Sequence, residues 1–277
     1  MTETDHDPAA HYDRVTDPWG LLLGEELHYG LFATGDETLP VATAALTGRM
    51  VEAAQCRPGD RVLDVGCGTG APALRLVAEG GVDVLGITTS HVGVEAATRR
   101  AREAGTGAAR FELRDGTDTG LPDAGFDRVW VMESSHLMPD RARLLAESAR
   151  VLRPGGRLVL CDIIRRREIG FLEVRERRDE FAVLRAAFGA ARMDPLDTYA
   201  GHARDAGLQV EELTDLSEQT RPTFDRWRRN LDAHRAEVLD RLGERSVADF
   251  EASTRILASM WDDRTLGYGL MSAVRPG

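Results

Sequence analysis

The strongest restriction on the fold is a change of period at residues 61–71. Arg61-Val-Leu-Asp-Val65 is a short β-branched run that stops in Gly66-Cys-Gly-Thr-Gly70, and from Ala71 the apolar residues return at helical spacing. A strand that ends in glycines and turns directly into a helix opens a βαβ unit. The alternation continues: the pattern predicts a strand over 82–88, a helix over about 91–104, strands over 110–114 and 126–132, and a helix over 140–152. Arg153-Pro-Gly-Gly156 then turns into an apolar strand over 157–163. Strands alternating with helices at this spacing predict a mostly parallel sheet covered on both faces, and right-handed crossovers limit the topology to a doubly wound α/β fold.

The flanks have a different character. Residues 1–58 read as helices and turns, one segment packing Trp19, Leu21, Leu22 and Leu23 and another running from about Val41 to Ala54. Residues 164–205 mix Phe171, Phe181, Leu184, Phe188 and Met193 with many charges, the pattern of a helical cap inserted in the core. The core is expected to comprise 59–163 and 206–277, the latter with a helix to Gly207, a strand over 208–213, two helices and a last strand near 268–274.

Charge and composition exclude several functions. A net charge of -11 argues against nucleic-acid binding, which needs a basic face. All 35 basic residues are arginine, which excludes a lysine Schiff base and the lysine of a phosphate-binding P-loop. Cys56, Cys67 and Cys161 have no paired metal spacing, and their odd count suits a reducing compartment. The polar start has no signal-peptide pattern, and no apolar run approaches the roughly 20 residues of a membrane span. A cytoplasmic protein is expected.

The glycine loop is ambiguous by itself. Read from Gly66 it satisfies Gly-x-Gly-x-x-Ala, the dinucleotide fingerprint. However, the second strand ends Gly86-Ile-Thr-Thr-Ser90, without the ribose-binding acid expected about 20 residues on, and the loop lies behind a helical N-terminal segment.

In order along the chain, Leu63-Asp-Val-Gly-Cys-Gly-Thr-Gly70, Gly86-Ile-Thr-Thr-Ser90, Arg114-Asp-Gly116, Gly125-Phe-Asp127 and Val151-Leu-Arg-Pro-Gly-Gly156 resemble class I S-adenosylmethionine-dependent methyltransferases. Leu-His-Tyr-Gly30 and Met132-Glu-Ser-Ser-His-Leu-Met-Pro-Asp140 are similar to the small-molecule branch with natural-product and sugar O-methyltransferases and tocopherol- or sterol-type enzymes. The resemblance implies a seven-stranded Rossmann-like methyltransferase fold with N-terminal lid helices, and S-adenosyl-L-methionine as cofactor. It places Gly66, Gly68 and Gly70 along the methionine half, Asp64 near the ammonium, and Thr88 and Thr89 at the ribose. Asp115 would accept from the adenine amino group, with Gly116 and Thr117 beside the ring. Tyr12, His28 and Tyr29 would belong to a lid over the cofactor.

For the chemistry, His136 is the expected general base, at the end of the fourth strand where doubly wound sheets bind ligands, with Asp162 to orient it or receive the proton. Sugar O-methyltransferases of this branch often have two histidines here, whereas position 137 is Leu. No His/Asp/Glu cluster has metal-ligand spacing, and no metal is expected. The arginines around the cap (Arg165, Arg166, Arg167, Arg175, Arg177, Arg178) fit a salt-paired surface or, alternatively, a grip on an anionic substrate. The first reading of function is O-methylation of a small secondary metabolite such as a sugar, polyketide or phenol. The alternatives are C-methylation of an alkene, with Glu133 as proton acceptor, and a cyclase that keeps the cofactor as a structural element. The expected partner is a small-molecule acceptor, with no nucleic acid and no membrane; a homodimer is left open.

Overall fold

The computed structural model describes residues 20–189 and 191–277. Seven strands form one sheet: β1 (Arg61–Val65), β2 (Asp83–Thr88), β3 (Ala109–Leu113), β4 (Phe126–Met132), β5 (Leu152–Arg165), β6 (Gln209–Asp215) and β7 (Leu266–Val274). Their order is β3-β2-β1-β4-β5-β7-β6, and only β7 runs antiparallel to its neighbours. The doubly wound, mostly parallel architecture expected from the alternation is therefore present. The order reverses between β1 and β4, which opens a crevice at the carboxyl ends of these two strands.

Alternation along the strands sorts the core into two layers. Val129 and Val131 pack on one face with Leu63, Val65, Leu158 and Leu160, while Trp130 and Met132 pack on the other with Val62, Val84, Val159 and Cys161. Every residue of β4 is buried, as expected of a central strand covered on both faces. Asp64 and Trp130 are register partners on neighbouring strands and so share a face, the one that carries the cavity.

The helices start and stop where local chemistry allows. α1 (Leu39–Ala54) opens with Pro40 in its first turn, and α2 (Ala71–Gly80) follows directly on the loop glycine Gly70. α3 (His91–Glu103) is capped by Ser90, whose hydroxyl accepts from Gly93 N–H at 2.9 Å, and α4 (Arg141–Val151) by Asp140, which accepts from Arg143 N–H at 2.8 Å. The short α5 (Phe171–Glu176) leads into α6 (Arg178–Phe188), and α7 (Leu196–Asp205) buries Tyr199, Ala200 and Ala203 in the layer that holds Leu144 and Leu158. Of residues 164–205, α6 thus contributes the stretch that reaches the cavity layer, and α7 serves the opposite face of the sheet. After the single turn α8 (Ser217–Thr220), the long α9 (Thr223–Asp262) breaks at Gly243, whose backbone leaves the helical region at φ 78 and ψ 164. The two expected helices are therefore the halves of one kinked rod.

β5 is longer than the apolar run predicted. Its outer residues are recruited by pairing: Leu152 pairs with Phe126, and β7 follows β5 from Arg157 to Arg165. A buried arginine fastens α1 to the sheet. Arg128 of β4 donates to the carbonyls of Ala54 and Gln55 at 2.7 Å each, closing the C-terminus of α1, and pairs with Asp60 at 3.0 Å. Arg128→Met should destabilise the protein by about 3 kcal/mol, because it strands the buried Asp60 charge and the helix-end carbonyls together. Urea unfolding would show this as a lower midpoint at unchanged slope; an unaltered midpoint would contradict the role.

Candidate active site

A cavity of about 410 Å³ lies on the Asp64 face of the sheet, at the crevice between β1 and β4. Its walls come from the loops after β1, β2, β3 and β4, the segment 23–29, and the ends of α6 and α9.

The glycine loop forms one wall, and its three glycines serve different purposes. A Cβ on Gly66 would lie 2.2 Å from Ser134 Cβ, and one on Gly70 2.8 Å from Ala97 Cβ, so packing and positive φ demand glycine at both. Gly68 has no atom within 4 Å of such a Cβ; it leaves open space for a ligand to approach the backbone. Gly66 and Gly68 line the cavity, whereas Gly70 sits behind the loop against α3 and β3. Asp64, Thr88, Thr89, Asp115, Gly116 and Thr117 also line it. Asp115 Oδ1 accepts from the N–H and hydroxyl of Thr117, both at 2.8 Å, which folds the loop after β3 and leaves Oδ2 for a ligand. Gly93 lets α3 come close to the loop: a Cβ there would be 3.1 Å from the Gly68 carbonyl oxygen.

Asp64 has no hydrogen-bond or ion-pair partner among the described residues, and burial pushes its carboxyl up to about 7. A buried carboxylate lacking a cation, beside an open glycine backbone and hydroxyls at the second strand's end, fits the ammonium, carboxylate and ribose of S-adenosylmethionine.

The other end of the cavity is built on Asp162 of β5, one residue beyond the last pair with β4. Its carboxylate accepts from His136 Nδ1–H at 2.6 Å, His136 N–H at 3.0 Å, Ile163 N–H at 2.7 Å and the Ser135 hydroxyl. Ser135 in turn meets Tyr199 of α7 at 2.9 Å. His136 lines the cavity; Asp162 is fully buried beneath it. Burial alone would pull the imidazole down, but the Asp162 carboxylate outweighs it and holds the His136 pKa above the usual 6.5. Burial would likewise raise Asp162, and the imidazole reverses that, leaving the carboxyl below its usual 3.8. With Nδ1 bound to Asp162, Nε2 is the ring nitrogen left for a ligand.

The segment 26–29 closes the site from above. His28 meets an acceptor on each side, the Tyr29 carbonyl at 2.7 Å from Nδ1 and Glu26 Oε2 at 2.8 Å from Nε2, so its geometry is that of an imidazolium. Burial opposes the charge of Glu26, but His28, Thr47 and Arg75 hold its carboxyl down at about 2. Tyr29 N–H donates to Glu133 at 2.9 Å, and its ring packs among Phe224, Trp227, Trp261 and Tyr268. Tyr12 lies outside the described residues. Ser135, Tyr199, Glu26, Thr47 and Arg75 were not foreseen; each is an ordinary residue in its local sequence, and only its partner makes it part of the site.

None of the six cap arginines lines the cavity, and among the described residues all but Arg175 are salt-paired. Arg165 pairs with Glu168, Arg166 with Asp215, Arg167 with Glu173 and Arg177 with Glu173, Glu180 and Asp263. Arg114, which does line the cavity, is bound to Glu112 at 2.6 Å and to the Thr119 carbonyl at 2.7 Å. Among the described residues there is no group of three His, Cys, Asp or Glu arranged to hold a metal ion, and no helix long and apolar enough to cross a membrane.

Cofactor affinity should depend on pH through Asp64. The carboxyl at about 7 must lose its proton to pair with the ammonium, so binding of S-adenosylhomocysteine should weaken by up to about tenfold per pH unit between pH 7 and 5. Calorimetry should show Asp64→Asn binding weakly and without this slope; a slope retained in the variant would assign it elsewhere.

Comparison with known proteins agrees with this geometry. Residues 1–266 match the family described as mycolic acid cyclopropane synthetase. The chain is 37% identical over 266 residues to 27-O-demethylrifamycin SV methyltransferase of Amycolatopsis mediterranei, covering 96% of this chain and 95% of that one. It is 35% identical to Methyltransferase GfsG of Streptomyces halstedii, covering 96% and 93%. The crystal structure of the [4+2]-cyclase SpnF superposes with a TM-score of 0.82 at 29% identity, covering 97% of this chain and 94% of that one. The chain belongs to the mycolic acid cyclopropane synthetase family of class I S-adenosylmethionine-dependent methyltransferases.

Proposed function

We propose that this methyltransferase transfers the methyl group to a hydroxyl oxygen of a small, largely apolar secondary metabolite, with His136 as general base. The observation that carries this reading is the His136–Asp162 pair at the cavity. When bound, S-adenosylmethionine supplies the methyl group as an electrophilic sulfonium. The chain's own residues then have three tasks. Asp162 fixes the tautomer of His136 by taking Nδ1–H, so Nε2 offers its lone pair to the hydroxyl proton. The imidazolium formed is stabilised by the same carboxylate. Leu23, Leu27, Phe188, Met193, Trp227 and Leu257 give the remaining wall an apolar surface that excludes water. The salt-paired cap arginines favour a neutral acceptor over a diphosphate or nucleotide-sugar. The name of the Amycolatopsis relative, a methyltransferase of a 27-O-demethyl compound, supports oxygen as the methylated atom.

Two other readings have specific support. The likeness to a [4+2]-cyclase supports a cyclisation reading. The half-buried Glu133 and the aromatic wall favour alkene C-methylation. Incubation with the deuteromethyl cofactor, 27-O-demethylrifamycin SV and a panel of hydroxylated polyketides separates them by mass spectrometry. O-methyl transfer gives label lost with a methoxy fragment. Label on carbon would support C-methylation, and an unlabelled isomer of the substrate would support cyclisation.

His136→Ala should lower kcat by about 10²–10⁴-fold with cofactor affinity unchanged. Unchanged turnover would remove His136 from the chemistry. The neutral imidazole is the active form and its pKa lies above 6.5, so activity should fall as pH drops through that raised value. Asp162→Asn removes the charge that raises it; the acid limb of the rate profile should move to lower pH while kcat falls. An acid limb that stays in place would show that another group titrates.

A further inference from the structure

The segment above the cavity is anchored at both ends and held in its middle by charge. On one side Leu22 and Leu23 are buried, and the Leu22 carbonyl accepts from the Asn230 amide at 3.0 Å. On the other, Tyr29 N–H reaches Glu133 at 2.9 Å, Gly30 N–H the Thr223 hydroxyl at 3.1 Å and Leu31 N–H the Ala42 carbonyl at 2.8 Å. Between these anchors the backbone is left-handed at Gly24, with φ 87, and at Leu27, with φ 56, where the side chain makes this conformation costly. Glu26, Leu27 and His28 of this stretch line the same cavity as Asp64, Gly68 and Thr88.

Glu26 ties the middle of the stretch to two helices. Its Oε1 accepts from Arg75 Nε at 3.0 Å and Nη2 at 2.5 Å, and its Oε2 from the Thr47 hydroxyl at 2.7 Å and His28 Nε2–H at 2.8 Å. Thr47 belongs to α1, and Arg75 to α2, the helix that begins at the glycine loop. Paired with the arginine, Glu26 is ionised, so the proton between Glu26 and His28 sits on Nε2. The other ring nitrogen faces the Tyr29 carbonyl at 2.7 Å, which can only accept. Both ring nitrogens therefore donate; a neutral ring has a single N–H and would leave one acceptor against a lone pair. The charged groups around the buried ring are Glu26, with Arg75 behind it, and Glu133 from the loop after β4. Burial opposes the charge of the ring, but the Glu26 hydrogen bond and the charges of Glu133 and Glu26 outweigh it and lift His28 above its usual 6.5.

We propose that residues 24–28 form a gate on the cofactor, held shut by the doubly donating His28 ring with Glu26 as its positioning residue, so that loss of one ring proton to solvent loosens the gate and speeds release of the demethylated product, S-adenosylhomocysteine. Once one of the two bonds is gone, the left-handed turn at Leu27 is no longer held from both sides, and Leu27 can leave the cavity wall. The gate acts on the cofactor and is independent of which acceptor atom receives the methyl group.

The test reads the rate at which radiolabelled S-adenosylhomocysteine leaves the protein when chased with the unlabelled compound, between about pH 6 and about pH 9, beside an NMR titration of the His28 ring on the same complex. No turnover is needed. In the unmodified protein the rate should rise about tenfold with pH, the size of one hydrogen bond to a charged group, and its midpoint should coincide with the titration of His28. His28→Gln offers the segment one donor at a time, so its release should already be fast at the low end of the range and lack the step. Glu26→Gln keeps an oxygen for Thr47 and removes the charge, so the step and the ring titration should move together to lower pH. Titration of Asp64 and of the ligand's ammonium is common to all three proteins and cancels in the ratios of their rates. A step that survives in His28→Gln would overturn the proposal. So would two results that need no variant: a release rate that stays flat as His28 titrates, or a step whose midpoint departs from that of the ring.

Discussion

The fully buried carboxylate of Asp162 organises one end of the cavity. It sits on β5 one residue beyond the last pair with β4, and it collects four donors from two segments: the backbone N–H of Ile163 on its own strand, and the Ser135 hydroxyl with the backbone N–H and ring Nδ1–H of His136 on the loop after β4. An unpaired charge at this depth would be very costly; with four hydrogen bonds it becomes a fixed point. The loop cannot move without breaking them. Because Ser134 of the same loop packs where a Cβ of Gly66 would be, the Asp162 cluster also fixes the distance between the glycine loop and His136.

Charge is distributed unevenly along the cavity. At one end Asp64 is isolated and held near neutrality by burial, so it gains most from an incoming cation. At the other, Asp162 is fully compensated and keeps its charge, which goes into raising the basicity of His136. Glu133 lies between these extremes, with one oxygen satisfied and one free. Three carboxyl groups of similar intrinsic acidity thus acquire different electrostatic characters, and the differences come from burial and from how many donors each receives. The segment above them is tied by the His28 imidazolium between Glu26 and the Tyr29 carbonyl, and by Gly30 N–H on the Thr223 hydroxyl at 3.1 Å. Closure of the cavity is therefore joined to the packing of α1, α2 and α9.

Much of the fold was legible in the sequence because period and punctuation are local. β1 and β4 fall on the predicted residues, and Ser90 and Asp140 mark helix starts in the way their side chains allow. The length of β5 was not legible: its outer residues carry no strand pattern and are strand only because β4 and β7 pair with them. Nor were the partners of the cap charges, since spacing favours a salt-paired face over an anion grip without naming who pairs, and Asp215 and Asp263 are 49 and 86–96 residues away in the chain.

For the site, the sequence by itself determined how the loops that carry the expected cofactor residues fold. Those residues lie in three short motifs at strand ends, and each motif folds by its own turn chemistry: positive φ at Gly66 and Gly70, and the Asp115 oxygen that closes on Thr117. His136 could be named for the same reason, from its place after a strand. What only the tertiary structure decided is which groups remain unpaired. Gly70 faces Ala97 and Phe111 and not the cavity, the His28 ring has both nitrogens occupied, and Glu133 has one free oxygen. The availability of a buried polar atom depends on partners up to 135 residues distant, as Tyr268 is from Glu133, and no local pattern records a contact that is made only when the sheet is assembled.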